Sequence, residues 1–157
     1  MYQVEVKRYL IQQKFPTNQG WKVTVDLDAM ELGKGDQHPK GKREIAEINQ
    51  KWLEEQGITI AAHPKFGRVD IVAEHESYGT YIIEVEGDTR KQKEQALYSS
   101  LGQTILLMHE SNDRFTYGLA VPDSSKWEFQ LQKIPQHIRG ILNLKLYLVS
   151  KDNVRLL

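Results

Sequence analysis

Three carboxylates lie close together along the middle of the chain, each at the edge of an apolar segment. Asp70 belongs to the segment VDIV, and Glu84 and Glu86 close the segment YIIEVE. Strand side chains alternate between two faces, so Glu84 and Glu86 share one face while Val85 points to the other. If the two segments pair as neighbouring strands, we expect all three acids to converge at one place in the sheet.

Such a set of oxygen ligands suits Mg²⁺ or Mn²⁺ and does not suit zinc. A hard dication can hold a phosphate oxygen and lower the pKa of a water molecule. Uncompensated buried carboxylates are very costly, which also favours a cation at this position. The alternative is that single acids end their strands in solvent, or pair with Arg68, Arg90 or Lys91.

The elements that must position these acids follow from the apolar patterns. Alternation predicts a strand within 2–13 and a partner strand within 21–27. Helical spacing predicts a helix over 42–56 and a long helix after Glu86. Further segments have the patterns of short strands, namely 58–62, 68–73, 80–86, 115–121 and 144–149. Residues 127–132 fit either a strand or a helix.

These elements predict one α/β domain over residues 1–157, with a mixed central β-sheet flanked by helices. It would begin with an N-terminal hairpin (2–27) and end with a helix and strand (135–157). Nothing in the chain suggests a repeat or a linker between domains.

Composition excludes several functional classes. Lys plus Arg and Asp plus Glu both number 21, so no global positive field attracts nucleic acid. Cysteine is absent, which excludes disulfides, thiolate metal sites and a cysteine nucleophile. There is no signal peptide and no apolar run of about 18 residues, so we expect a soluble, cytoplasmic protein.

The order and spacing of the acids resemble the PD-(D/E)xK nuclease superfamily, which has the restriction-endonuclease-like fold. Asp70 matches the Asp of that motif, and Glu84-Val85-Glu86 matches (D/E)xK. The resemblance covers roughly residues 42–121 and implies a restriction-endonuclease-like core there. It implies a metal site built from Asp70, Glu84 and the Val85 carbonyl, completed by an acid of the preceding helix, either Glu44 or Glu47.

Glu86 departs from the family pattern, because it occupies the position of the motif lysine. A glutamate could itself accept the proton of the attacking water. Alternatively, the lysine moves to the following helix, where Lys91 and Lys93 are candidates. A third alternative is a site that binds metal or nucleic acid without cutting. Gln95 on the same helix is a candidate for holding water or substrate.

The densest basic stretch opens the predicted helix over 42–56, where backbone phosphates could dock on helix N-terminal amides. The candidate nucleic-acid-binding residues are Lys40, Lys42, Arg43, Arg90 and Lys93. The alternative for this stretch is an ordinary charged loop.

The sequence thus predicts metal-dependent hydrolysis of nucleic-acid phosphodiesters by a DNA endonuclease, since the family mostly cuts DNA. The alternative is a catalytically inactive nuclease-fold protein that acts as a nucleic-acid-binding or regulatory subunit. For a family member of this size, the resemblance implies a homodimer or one subunit of a larger system. A third interpretation is an α/β interaction domain whose acids lie apart on the surface.

Overall fold

A computed structural model describes residues 1–34, 38–88, 92–110 and 112–157 of the chain. Within these ranges the helices are α1 (Gln3–Lys14), α2 (Lys42–Glu55), α3 (Lys93–Leu106), α4 (Ser125–Leu131) and α5 (Gln136–Ile141). The strands are β1 (Lys22–Val25), β2 (Thr59–Ile60), β3 (Ile71–His75), β4 (Gly79–Val85), β5 (Phe115–Pro122), β6 (Leu144–Val149) and β7 (Val154–Leu156).

The seven strands form one mixed sheet in the order β2-β1-β3-β4-β5-β6-β7. β3 and β4 are an antiparallel hairpin in which Ile71 lies opposite Ile83. β4, β5 and β6 run parallel, and β1 lies antiparallel along the other side of β3. The mixed α/β sheet flanked by helices that the sequence predicts is confirmed.

The sheet separates two apolar layers. Ile83 and Val85 pack against side chains of α1 and α2, whereas Ile82 packs against α3 and α4. This alternation follows from the period of two along a strand. It leaves Glu84, the second-last residue of β4, on the α3 side of the sheet. No helix in the described parts of the chain is both long enough and apolar enough to cross a membrane.

The N-terminal segment corrects one prediction, because residues 3–14 form α1 and not a strand. The alternation of Val4 and Val6 fits a strand, but Val6 and Leu10 are also four residues apart, as helix neighbours are. Both are fully buried together with Ile11, so packing against the sheet selects the helix. The predicted N-terminal hairpin (2–27) is therefore wrong, and β1 pairs with β2 and β3.

The N-terminus of α1 passes very close to the end of β4 at Gly87. A Cβ atom on Gly87 would lie 2.6 Å from the backbone nitrogen of Gln3 and 3.0 Å from the carbonyl carbon of Tyr2. Real Cβ atoms essentially never lie closer than 3.0 Å to a non-bonded backbone atom, so this crossing requires glycine unless α1 shifts. The contact holds α1 against the strand that carries Glu84.

We expect Gly87→Ala to lower the free energy of unfolding by about 1–3 kcal/mol, because the added methyl group must displace α1. Gly102→Ala is the matched control: nothing lies within 4 Å of a Cβ there, on α3. Alanine favours a helix interior by about 1 kcal/mol over glycine, so this variant should be slightly more stable than the wild type. Urea unfolding of both variants measures the difference, and equal effects would contradict the close approach.

Candidate functional site

An open cavity of about 650 Å³ lies where β3 begins and β4 ends. Residues from both helical layers and from the segment after β1 form its wall. They are Gln3, Asp26, Asp28, Ala29, Met30, Arg68, Asp70, Glu84, Val85, Glu86, Ser99 and Gln103. The structure thus brings together the three acids that the sequence singles out, Asp70, Glu84 and Glu86, with Val85 between two of them.

Asp70 and Glu84 lie beside each other in the hairpin, since their neighbours Ile71 and Ile83 pair across β3 and β4, and both line the cavity. Burial, followed by the charge of Asp70, raises the pKa of Glu84 to about 9. This raised pKa favours the protonated form of Glu84 at neutral pH. Both acids line one cavity, and Asp70 is bound to the buried ammonium of Lys7, which does not fit acids that lie apart on a surface.

The acceptor capacity of Asp70 is used by three groups. Its Oδ1 accepts from Nζ of Lys7 at 2.7 Å and from Nε2 of Gln3 at 3.1 Å. Its Oδ2 accepts from the Val85 backbone N–H at 2.8 Å. The carboxylate is therefore fixed from α1 on one side and from β4 on the other.

Lys7 is a central residue of the cavity's buried network, and the sequence prediction missed it. Its side chain is fully buried, and Nζ also donates to the Asp26 carbonyl and to Oε1 of Glu31, both at 2.6 Å. Burial alone would lower the pKa of Lys7, but the charges of Asp70 and Glu31 outweigh burial and raise it. A lysine on the apolar face of a helix could have been noticed from the sequence. It was not, because the segment was predicted to be a strand.

Glu31 is a second missed acid, in the turns that follow β1. It is 7% exposed, its Oε1 binds Lys7, and its Oε2 has no hydrogen-bond partner. Burial raises the pKa of Glu31 to about 7, although the ammonium of Lys7 opposes this. A turn has no periodicity from which its burial could be read.

On the α3 side, Oε1 of Glu86 accepts a hydrogen bond of 2.5 Å from the Ser100 hydroxyl. Ser99 and Gln103 of the same helix line the cavity, whereas the candidate Gln95 is exposed and does not. Lys93 pairs with Asp88 at 3.0 Å and is also not in the cavity wall. The other two candidates from this region, Arg90 and Lys91, lie outside the described residues.

The predicted contribution of α2 is not found at the cavity. Glu44 and Glu47 are exposed and absent from its wall, and Glu47 accepts a hydrogen bond from Nε of Arg43 at 3.0 Å. Lys40 is exposed, and Lys42 donates to the Met30 carbonyl. The physical reason is that α1, not α2, packs beside the start of β3.

Within the described ranges, no three His, Asp or Glu side chains stand in position to share one metal ion as they are arranged. The oxygens of Asp70 are bound to Lys7, Gln3 and the Val85 backbone N–H. The chain matches no protein-family model, no curated protein and no solved structure at a significant level.

We expect Lys7→Met to lower the free energy of unfolding by about 3–5 kcal/mol, because it leaves the carboxylates of Asp70 and Glu31 buried without their cation. The matched control is Lys51→Met on α2. Lys51 forms a long, exposed pair with Glu55 at 3.8 Å. Removing such a pair should change stability by less than about 1 kcal/mol. Urea unfolding at pH 7 measures both, and a small loss for Lys7→Met would contradict the buried network.

The proton on Glu84 gives stability a defined pH dependence. Its pKa in the folded protein, about 9, is above the ordinary 4.5. The folded state therefore binds this proton more tightly, and stability falls as pH rises from about 5 to about 9. Glu84→Gln keeps a neutral side chain at all pH values, so we expect a shallower decline over this range.

Free energies of unfolding at pH 5, 7 and 9 provide the measurement. Glu55→Gln, an exposed change on α2, should have the slope of the wild-type protein. If Glu84→Gln also kept that slope, Glu84 would not be the protonated group.

Proposed function

We propose that this chain is a metal-dependent phosphodiesterase that acts on nucleic acid, with a restriction-endonuclease-like core. One observation carries the proposal: Asp70 and Glu84, from the adjacent ends of an antiparallel hairpin, line one open cavity together with Glu86. Of the described residues, only Lys7 supplies a cation in direct contact with Asp70 or Glu84, through its bond to Asp70. DNA is the proposed substrate, as the resemblance to the superfamily implies.

The residues present fit a hard dication such as Mg²⁺ or Mn²⁺. Asp70, Glu84 and the Val85 carbonyl would hold it, and all three offer oxygen. The buried Oε2 of Glu31, which has no hydrogen-bond partner, shows that negative charge nearby is still unsatisfied. Glu31 thus replaces Glu44 and Glu47 as the fourth acid of the proposed site. When bound, the dication supplies Lewis-acid activation of the phosphate and a lowered water pKa.

In this proposal the motif lysine is replaced by two residues. Lys7 is a positioning residue, because its ammonium fixes the orientation of Asp70 and adds positive charge beside it. Glu86 stands at the lysine position and is held by Ser100, from where its carboxylate accepts a proton from the attacking water. Gln103, on the same helix as Ser100, takes the role first considered for Gln95 and binds water or substrate.

A second function is favoured by the hydrogen bonds that already occupy both carboxylate oxygens of Asp70. Both of its oxygens already accept hydrogen bonds, and Lys7 supplies a positive charge that a metal would otherwise supply. Such a site suits a catalytically inactive nuclease-fold protein that binds nucleic acid or regulates a partner. The two proposals differ in whether a dication would replace the proton of Glu84, releasing that proton to solvent.

The proposed setting is the cytoplasm, since a chain without cysteine suits a reducing compartment. With equal numbers of basic and acidic side chains, binding of DNA must depend on local cations. A homodimer, or a place within a larger system, would enlarge the surface available to DNA.

We expect the wild-type protein to cut plasmid DNA in the presence of Mg²⁺ or Mn²⁺ and not in EDTA. Asp70→Asn and Glu84→Gln should reduce the rate at least about 100-fold, which corresponds to roughly 2.7 kcal/mol of transition-state stabilisation. Gel assays of supercoiled plasmid measure the rate, and circular dichroism verifies that each variant is folded.

Glu55→Gln, far from the cavity on α2, is the control and should cut like the wild type. Equal cutting by all variants would reject the assignment of Asp70 and Glu84. Calorimetric binding of Mn²⁺ without any cleavage by the wild-type protein would favour the inactive, nucleic-acid-binding alternative.

A further inference from the structure

We infer that Arg68 binds a phosphate group of the nucleic-acid backbone at the mouth of the cavity, an inference that rests on the proposed function. The chemistry it recognises is a phosphodiester oxygen pair. Arg68 would thereby place the substrate against Asp70 and Glu84 without taking part in bond cleavage.

The position of Arg68 is fixed by the chain itself. It precedes Asp70 by two residues, and both side chains line the cavity. Val69, between them, is 2% exposed and packs in the apolar layer on the α3 side. Because Val69 is anchored in the core, the backbone cannot turn Arg68 away from the cavity without exposing an apolar side chain.

The acidic character of the cavity wall makes Arg68 important for binding an anion. Among the described residues of the wall, the ionisable members other than Arg68 are acids, namely Asp26, Asp28, Asp70, Glu84 and Glu86. Lys7 lies behind the wall, and its three N–H donors all have partners within the protein. An approaching phosphate therefore meets one exposed cation in the described wall, and without it the field is repulsive.

The guanidinium is held in place but keeps donors for a ligand. Nε of Arg68 donates to Oδ2 of Asp26 at 3.1 Å, and the side chain is 68% exposed. The Asp26 backbone N–H is itself bonded to the Asp70 carbonyl, at 3.2 Å. No hydrogen bond from the two terminal nitrogens of Arg68 to another described residue is found. Two parallel N–H groups of a tethered arginine match the two free oxygens of a phosphodiester.

The test compares Arg68→Ala, Arg68→Lys and a matched arginine variant, Arg114→Ala. Arg114 is also exposed and bonds through one nitrogen to a carbonyl, that of Glu76, but it lies next to the start of β4, the end opposite the cavity. A fluorescein-labelled DNA duplex of about 20 base pairs is the probe, longer than one turn of the helix. Fluorescence anisotropy in EDTA measures Kd, and cleavage of the same duplex with Mg²⁺ measures kcat and KM.

We expect Arg68→Ala to raise Kd and KM about tenfold, with kcat changed by less than roughly twofold, since a phosphate contact is made equally in substrate and transition state. The slope of log Kd against log salt should fall by about 0.9, the value for one phosphate contact. Arg68→Lys should lie between alanine and wild type, because lysine keeps the charge but loses the planar fork.

Arg114→Ala should behave as wild type. The inference is overturned if Arg68→Ala and Arg114→Ala have the same Kd and salt slope, even when the wild-type protein cuts DNA. It stands if the wild-type protein does not cut but Arg68→Ala still weakens binding, in which case only the proposed hydrolysis fails. A wild-type protein that neither binds nor cuts the duplex overturns both.

Discussion

The buried ammonium of Lys7 is the interaction on which the rest of the site depends. It joins α1 to the start of β3 through Asp70 and to the turns after β1 through Glu31 and the Asp26 carbonyl. Each of these charges would be very costly to bury alone, and the network is stable because every N–H of the ammonium has an acceptor. The cavity has walls from α1 and from the segment after β1 because this contact holds both against the sheet.

The same network leaves the site with more acid than base. One buried ammonium faces the carboxyl groups of Asp70, Glu31 and Glu84, and burial together with the charge of Asp70 raises the pKa of Glu84. Metal ligation requires deprotonated carboxylates, so the dication of the proposed reaction would compete with a proton for this position. The excess of carboxyl groups destabilises the metal-free protein at high pH. The same excess would provide the binding energy for a dication.

The hairpin that carries Asp70 and Glu84 could be predicted because its information is local: two apolar strands, a turn and an acid at each outer end. The alternation also placed Val85 correctly on the face opposite Glu84. Lys7 and Glu31 could not be predicted, because a strand pattern competes with a helix pattern in α1 and a turn has no pattern at all. Glu44 and Glu47 were chosen because α2 precedes β3 in sequence, yet the helix that packs beside Asp70 is the one that begins the chain.

Glu86 occupies the position of the motif lysine of the nuclease pattern, and the location of Lys7 changes how this difference is interpreted. A motif lysine would supply both a positive charge near the phosphate and a partner for the attacking water. In the proposed reaction these tasks come from opposite sides of the sheet, the charge from Lys7 on α1 and the proton acceptor from Glu86, which Ser100 of α3 holds. Because Lys7 has no N–H left to donate, it cannot orient water as well, and a chain that cuts by this route needs an acid at position 86. In the proposed reaction, a glutamate at position 86 is therefore compatible with hydrolysis.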